Sequence, residues 1–177
     1  RSLPIRDIPL NNPIYDLLHY GNIFTTSVVS YSINSFTKKI LFNESYDFRT
    51  WEDYDLWIRL IKDGNLKPYS TGKFGAKYRI SENQYSSPMQ DIKNCITISY
   101  YFKKVFEIYK VKMIKGLPLW GHYNSMISFM IINDFDKSFL SFIRSCQISL
   151  KTYDVAFLLK VITKFIYLFT KKLKAKI

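Results

Sequence analysis

Thr50-Trp51-Glu52-Asp53-Tyr54-Asp55-Leu56-Trp57-Ile58-Arg59-Leu60 gathers three carboxylates and two tryptophans into the opening of one predicted helix. Six of the 14 acidic residues lie between Glu44 and Asp63, in a chain whose 26 basic residues give it a net charge of +12. On a helix, positions 53, 56, 57 and 60 share a face, so Asp53 sits at the N-terminal edge of a stripe built by Leu56, Trp57 and Leu60. Asp55 falls on roughly the opposite side, four residues before Arg59, the spacing of a surface pair that contributes about 0.3–0.5 kcal/mol. Two readings of Asp53 stand side by side. Thr50-x-x-Asp53 has the spacing of a capping box, in which the carboxylate turns back onto a backbone amide. Alternatively, a first-turn carboxylate held ionised by the helix dipole is placed to act as a general base.

Working outward, Asn43 to Arg49 reads as a polar loop ahead of the helix, and Gly64 suits the left-handed position that ends one. Asn22 to Ile33 combines β-branched residues with partial alternation and reads as a strand. Its Thr25, Thr26 and Ser27 either line a polar pocket or satisfy neighbouring backbone. Leu66 to Ser70 and Lys73 to Arg79 read as two further short strands, and Ser81 to Pro88 as a loop. The Pro- and Asn-rich start, Arg1 to Tyr20, is irregular chain with a short apolar turn at Ile14 to Leu18. From Met89 onward the period changes. Ile92, Ile96, Tyr100, Val105 and Phe106 mark an amphipathic helix, and three more helices are predicted at Leu119 to Ile132, Lys137 to Leu150 and Val155 to Leu173. The expected fold class is therefore α/β over residues 1–88, followed by an α-helical region over 89–177.

Composition narrows the partners. The hydrophobic fraction of 47% and the aromatic fraction of 18% belong to a globular chain rather than a disordered one. The seven lysines from Lys151 to the end, against Asp154 alone, carry half of the net charge. Lysine outnumbers arginine 20 to 6, which argues for solvated or membrane-facing charge rather than base readout, and no nucleic-acid module is present. Cys95 and Cys146 lack metal or disulfide spacing and read as buried thiols in a reducing compartment. His19 and His122 have no partner at a catalytic or metal-binding spacing, so they read as packing or surface residues. Asp53-x-Asp55 and Asp134-x-Asp136 have the letters of a metal motif. The first pair diverges around a helix and the second lies in a hinge, so neither is read as a metal site.

Asn22-x-x-Thr25-Thr26-Ser27-Val28-Val29, Leu41-Phe42-Asn43-Glu44-Ser45, Trp51-Glu52-Asp53-Tyr54-Asp55-Leu56-Trp57-Ile58-Arg59-Leu60, Gly64 and Tyr78-Arg79 follow one another in an order and spacing that resemble the acceptor half of family 2 glycosyltransferases, over about residues 14–88. The resemblance implies a partial GT-A (Rossmann-like) domain, a nucleotide-sugar donor, and inverting transfer to an acceptor hydroxyl of a glycan or lipid-linked acceptor in surface polysaccharide synthesis. It implies Asp53 as the catalytic base, Glu52 and Trp51 at the acceptor, Ser27 near the donor, and Arg79 either on phosphate or merely ending a strand. The family's nucleotide-binding half, which carries the ligands of its divalent Mg or Mn ion, would precede Arg1. Ser81 stands where relatives often carry a metal- or diphosphate-binding histidine, so no metal ligand is assigned to these residues. The resemblance places such an enzyme in the cytoplasm, either free there or peripheral on the inner face of the cell membrane.

The tail offers a competing, non-catalytic reading. Val155 to Thr170 with Lys160 and Lys164, followed by Lys171-Lys172-Leu173-Lys174-Ala175-Lys176, forms a lysine-edged amphipathic helix. It either lies on an anionic membrane, making the chain a membrane-surface or protein interaction module, or packs on the domain with its lysines solvated.

Overall fold

In the computed structural model, residues 12–22, 24, 29–31, 39–45, 48, 51–68 and 87–174 are described, and the chain divides into two compact units, Arg1–Tyr85 and Ser86–Ile177. Helices make up 71% of the described residues, and one antiparallel sheet of two strands is the extended structure among them. The fold is a helical bundle, which overturns the expected α/β, Rossmann-like GT-A half. The strand assignments rested on β-branched composition with incomplete alternation, and that composition is a weak and context-dependent preference. Asn22, Phe24 and Val29 to Tyr31 are not in strands, and neither are Leu66 to Pro68. The remainder of those segments, including 73–79, lies outside the described residues.

In the first unit, α1 (Pro13–Tyr20) starts with Asn12 accepting the Tyr15 amide at 3.2 Å and Pro13 in the first turn, and it stops at Gly21, whose φ of 86° only glycine adopts without cost. The expected apolar turn at Ile14 to Leu18 is thus a two-turn helix that buries Ile14, Leu17 and Leu18. It packs against α2 (Glu52–Lys62), which buries Tyr54, Leu56, Trp57, Ile58 and Leu60. The Tyr54 hydroxyl donates to the Leu17 carbonyl at 2.9 Å, joining the two helices inside the core. Gly64 does not take the left-handed position assigned to it. Asn65 does, with φ 50°, and its neighbours close the end through Gly64 N–H to Arg59 O and Leu66 N–H to Leu60 O. Asparagine is among the few L-residues that tolerate this conformation.

The second unit begins with α3 (Pro88–Tyr101), capped by Ser87, whose hydroxyl accepts the Gln90 amide at 3.1 Å. Its buried face is Ile92, Cys95, Ile98 and Ser99, whereas Ile96 and Tyr100 are exposed, so the stripe runs one step away from the one expected. A break at Phe102 leads into α4 (Lys103–Ile108). The strands β1 (Met113–Ile114) and β2 (Leu117–Pro118) then form a hairpin with register Met113↔Pro118 and Ile114↔Leu117. Both turn residues, Lys115 and Gly116, have positive φ (49° and 79°), as a two-residue hairpin turn of the primed type requires. A Cβ built on Gly116 would meet nothing within 4 Å. The requirement there is conformational alone, so Gly116→Ala should cost about 1 kcal/mol, read as a shift in the urea midpoint with an unchanged slope.

Helices α5 (Leu119–Ile131), α6 (Phe135–Lys151) and α7 (Val155–Lys174) complete the bundle. Asp134 and Asp154 cap the last two, accepting the Lys137 amide at 3.2 Å and the Phe157 amide at 2.9 Å. Both turns end in a left-handed residue, Asn133 before Asp134 and Tyr153 before Asp154. The core gathers Leu119, Met126, Ile148, Phe157 and Val161, with Phe142, Cys146 and Phe165 packed around it. Ser138, Ser141, Ser145 and Ser149 are all buried on one face of α6. Small side chains allow close approach, and the Ser138 hydroxyl donates to the Met126 carbonyl of α5 at 2.9 Å. Burial pushes the Cys95 thiol well above its ordinary range, with Asp91 adding to the rise, so Cys95 is an inert core thiol; Cys146 is half-buried and shifted the same way.

Candidate active site at the start of helix α2

The three acidic residues of the first turn of α2 lie at the positive end of its dipole. Trp51 occupies the N-cap without a side-chain cap bond, and its ring meets that of Tyr54 edge-on with centroids 5.5 Å apart. The helix therefore starts at Glu52 rather than Thr50, and Thr50 itself lies outside the described residues. Asp53 is half-buried, and its Oδ1 accepts the Tyr54 amide at 2.7 Å. That bond satisfies one of the first-turn amides that a helix leaves without an internal acceptor.

Asp55 is not the surface partner its spacing suggested. It is 2% exposed, and its Oδ2 accepts from Arg59 Nε at 2.8 Å and from Arg59 Nη2 at 2.5 Å. Arg59 Nη2 also donates to the Leu41 carbonyl at 2.7 Å, which ties the Leu41 to Ser45 segment to α2. Periodicity placed Asp55 opposite Asp53 correctly. What it could not register is that this opposite side is buried, with Arg59 reaching on to the Leu41 carbonyl.

Glu52 contributes a feature that spacing does not predict. It is half-buried, and its Oε2 is fully shielded without a hydrogen-bond partner. One turn beyond Asp53 on the same face, the buried Trp57 indole N–H is likewise without a partner, with Phe24 and Tyr31 packed edge-on at centroid distances of 6.4 Å. Most buried polar groups are hydrogen-bonded, so a shielded acceptor and a shielded donor without partners on either side of Asp53 are unusual features of this stretch of α2. No sequence signal marks them, because periodicity tells which side chains are covered and not which polar atoms find partners. Ser27 and Arg79, the other two site residues expected, lie outside the described residues.

These carboxylates do not fit a divalent metal. Asp55 is held by Arg59, residues two apart on a helix do not converge, and among the described residues no group of three or more His, Cys, Asp or Glu could hold an ion.

The histidines belong to packing. His19 is buried between Tyr15 and Tyr20, with ring centroids at 5.3 and 4.6 Å. His122 is buried in the second unit, with Nε2 2.7 Å from the Ile114 carbonyl and Nδ1 shielded without a partner. Comparisons with protein-family models, with curated proteins and with solved structures each return no match for this chain.

Proposed function

We propose that the start of α2 is the acceptor site of an inverting glycosyltransferase, with Asp53 as general base. The observation that carries this reading is the division of labour among the three carboxylates. Asp55 is buried and held by Arg59, whereas Glu52 keeps a shielded oxygen without a partner beside Asp53, at the positive end of the helix. The resemblance of the sequence motif supplies the reaction class.

In the proposed step, the acceptor hydroxyl donates to Asp53 and hands over its proton as the oxygen attacks the anomeric carbon of a nucleotide-sugar. The new carbon–oxygen bond forms as the bond to the diphosphate breaks, and the nucleoside diphosphate leaves with the electron pair. Glu52, half-buried next to Asp53, supports the acceptor side of the site, while the half-buried Trp51 ring offers an apolar face beside it. Any metal and the donor-binding groups belong to other residues.

The test uses the protein expressed from its whole reading frame, a panel of nucleotide-sugars and glycan acceptors, and release of nucleoside diphosphate as readout. Asp53→Asn should lower kcat by about 100-fold or more while donor affinity and the helical circular dichroism stay unchanged. Undiminished turnover would remove Asp53 from the chemistry.

A further inference from the structure

The bundle covers mainly one side of α7, although Phe169 of the outer row also packs edge-on against Phe135, with ring centroids 6.4 Å apart. Phe157, Val161 and Phe165 face the core, yet a second apolar row runs the whole length of the helix on another side: Val155, Leu159, Ile162, Ile166, Phe169 and Leu173. Their spacing of 4, 3, 4, 3 and 4 is that of a single straight helical stripe. Five of the six are 41–63% exposed, and Ile162 is half-buried. A helix of 20 residues presents this row over about 30 Å. Isolated exposed apolar residues need no explanation, but a continuous row of this length marks a contact surface.

What would cover the row is indicated by charge. Between Val155 and Lys174 there are five lysines and no acid. Lys160, Lys164, Lys171 and Lys174 lie on one arc of the helix, between the exposed row and the core face. Lys172 is differently employed, donating to the Ile131 carbonyl at 3.2 Å and to Asn133 Oδ1 at 2.9 Å, so it fixes the far end of α7 to the α5–α6 turn and holds the row in one orientation. Lys160 lies over the Phe157 and Tyr123 rings, with Nζ 4.9 and 5.2 Å from their centroids.

We infer that α7 docks this protein on an anionic lipid bilayer, lying in the plane of the interface with its outer apolar row among the acyl chains and Lys164, Lys171 and Lys174 at the phosphates. Lysine suits this position, since its apolar stem follows the row while the ammonium reaches the headgroups. A protein partner fits less well, because lysine is depleted at the centres of protein interfaces. No helix among the described residues is long and apolar enough to cross a membrane, which leaves surface binding as the available mode for α7. The inference is independent of the reaction proposed for α2.

The test is co-sedimentation of the full protein with phosphatidylcholine vesicles, with and without phosphatidylglycerol. Binding should require the anionic lipid and weaken as salt rises. Leu159→Glu with Ile166→Glu places charge in the exposed row without touching the core, and should abolish binding while the helical circular dichroism stays intact. Lys171→Gln with Lys174→Gln should weaken binding about 25-fold, roughly fivefold for each lysine removed. Equal binding to neutral and anionic vesicles, binding unaffected by the glutamates, or a dimer in sedimentation velocity that the glutamates dissolve while no vesicle binding is seen, would each overturn the proposal.

Discussion

Asp55→Ala should destabilise the first unit by about 3 kcal/mol, even though the same residue, judged by spacing alone, would contribute only a tenth or so of that. The difference lies in burial. Asp55 is 2% exposed and receives two hydrogen bonds from Arg59, so its removal leaves a largely covered guanidinium without its counter-charge. Arg59 retains its bond to the Leu41 carbonyl and some exposure to water, which keeps the loss at the lower end of the range for buried pairs. Asp55→Asn keeps the volume and one acceptor oxygen and should cost less, because a neutral amide still receives part of the fork. Urea unfolding followed by circular dichroism measures both variants. With a slope of about 1–3 kcal/mol per molar urea, the alanine variant should move the midpoint by about 1 M or more. A loss below about 1 kcal/mol would return Asp55 to the status of a surface pair.

Asp55 also shows where sequence reading reached its limit. Helical spacing identified α2, its apolar face through Leu56, Trp57 and Leu60, and the opposed directions of Asp53 and Asp55. Each of these is a property of one helix and follows from its 3.6-residue period. The burial of Asp55 and the bond from Arg59 to the Leu41 carbonyl, 18 positions earlier in the chain, are tertiary features that no local period encodes. The same limit explains the fold. Helices α5, α6 and α7 were legible because their apolar residues recur over three or more turns and Asp134 and Asp154 interrupt them as caps. The assignment of strands drew on Val, Ile and Thr content, which reports fitness for a pleated surface only where a partner strand exists.

The errors within helices are equally physical. In α3 the expected stripe runs through Ile96 and Tyr100, which are exposed, whereas the inward face runs through Ile98 and through Cys95, whose burial was expected. In α6 the inward face is serine, a residue scored as polar, because close approach to α5 needs small side chains more than apolar ones. In α7 one amphipathic pattern was legible, whereas the helix carries two apolar rows, of which the bundle covers one. At the candidate site, Glu52 and Asp53 were identified by their place in a motif. The shielded oxygen of Glu52 and the shielded Trp57 N–H required coordinates to find.

The second large effect concerns pH and the second unit. His122 is 1% exposed, and its pKa is lowered from 6.5 to about 4, chiefly by burial and in smaller part by the Arg144 charge, against the opposing effect of the bond to the Ile114 carbonyl. Since that carbonyl can only accept, Nε2 carries the proton and Nδ1 is the shielded site where a second proton would create a cation in the core. The folded pKa lies below the unfolded one. Above pH 6.5 both states hold neutral imidazole and the residue contributes no pH dependence. Between pH 6.5 and 4 only the unfolded chain binds the proton, so stability falls as pH falls, by a total of about 3 kcal/mol. Below pH 4 both states are protonated and the loss levels off. His122→Gln keeps an amide N–H for the Ile114 carbonyl and does not titrate. Its stability relative to the native protein should therefore rise by about 3 kcal/mol between pH 7 and pH 4, in paired urea titrations at each pH. Carboxylates such as Asp91, which burial shifts upward, are common to both proteins and cancel in that difference. A difference that stays constant across the range would mean that Nδ1 accepts its proton in the folded state as readily as in water, and that the core around α5 opens to solvent before it unfolds.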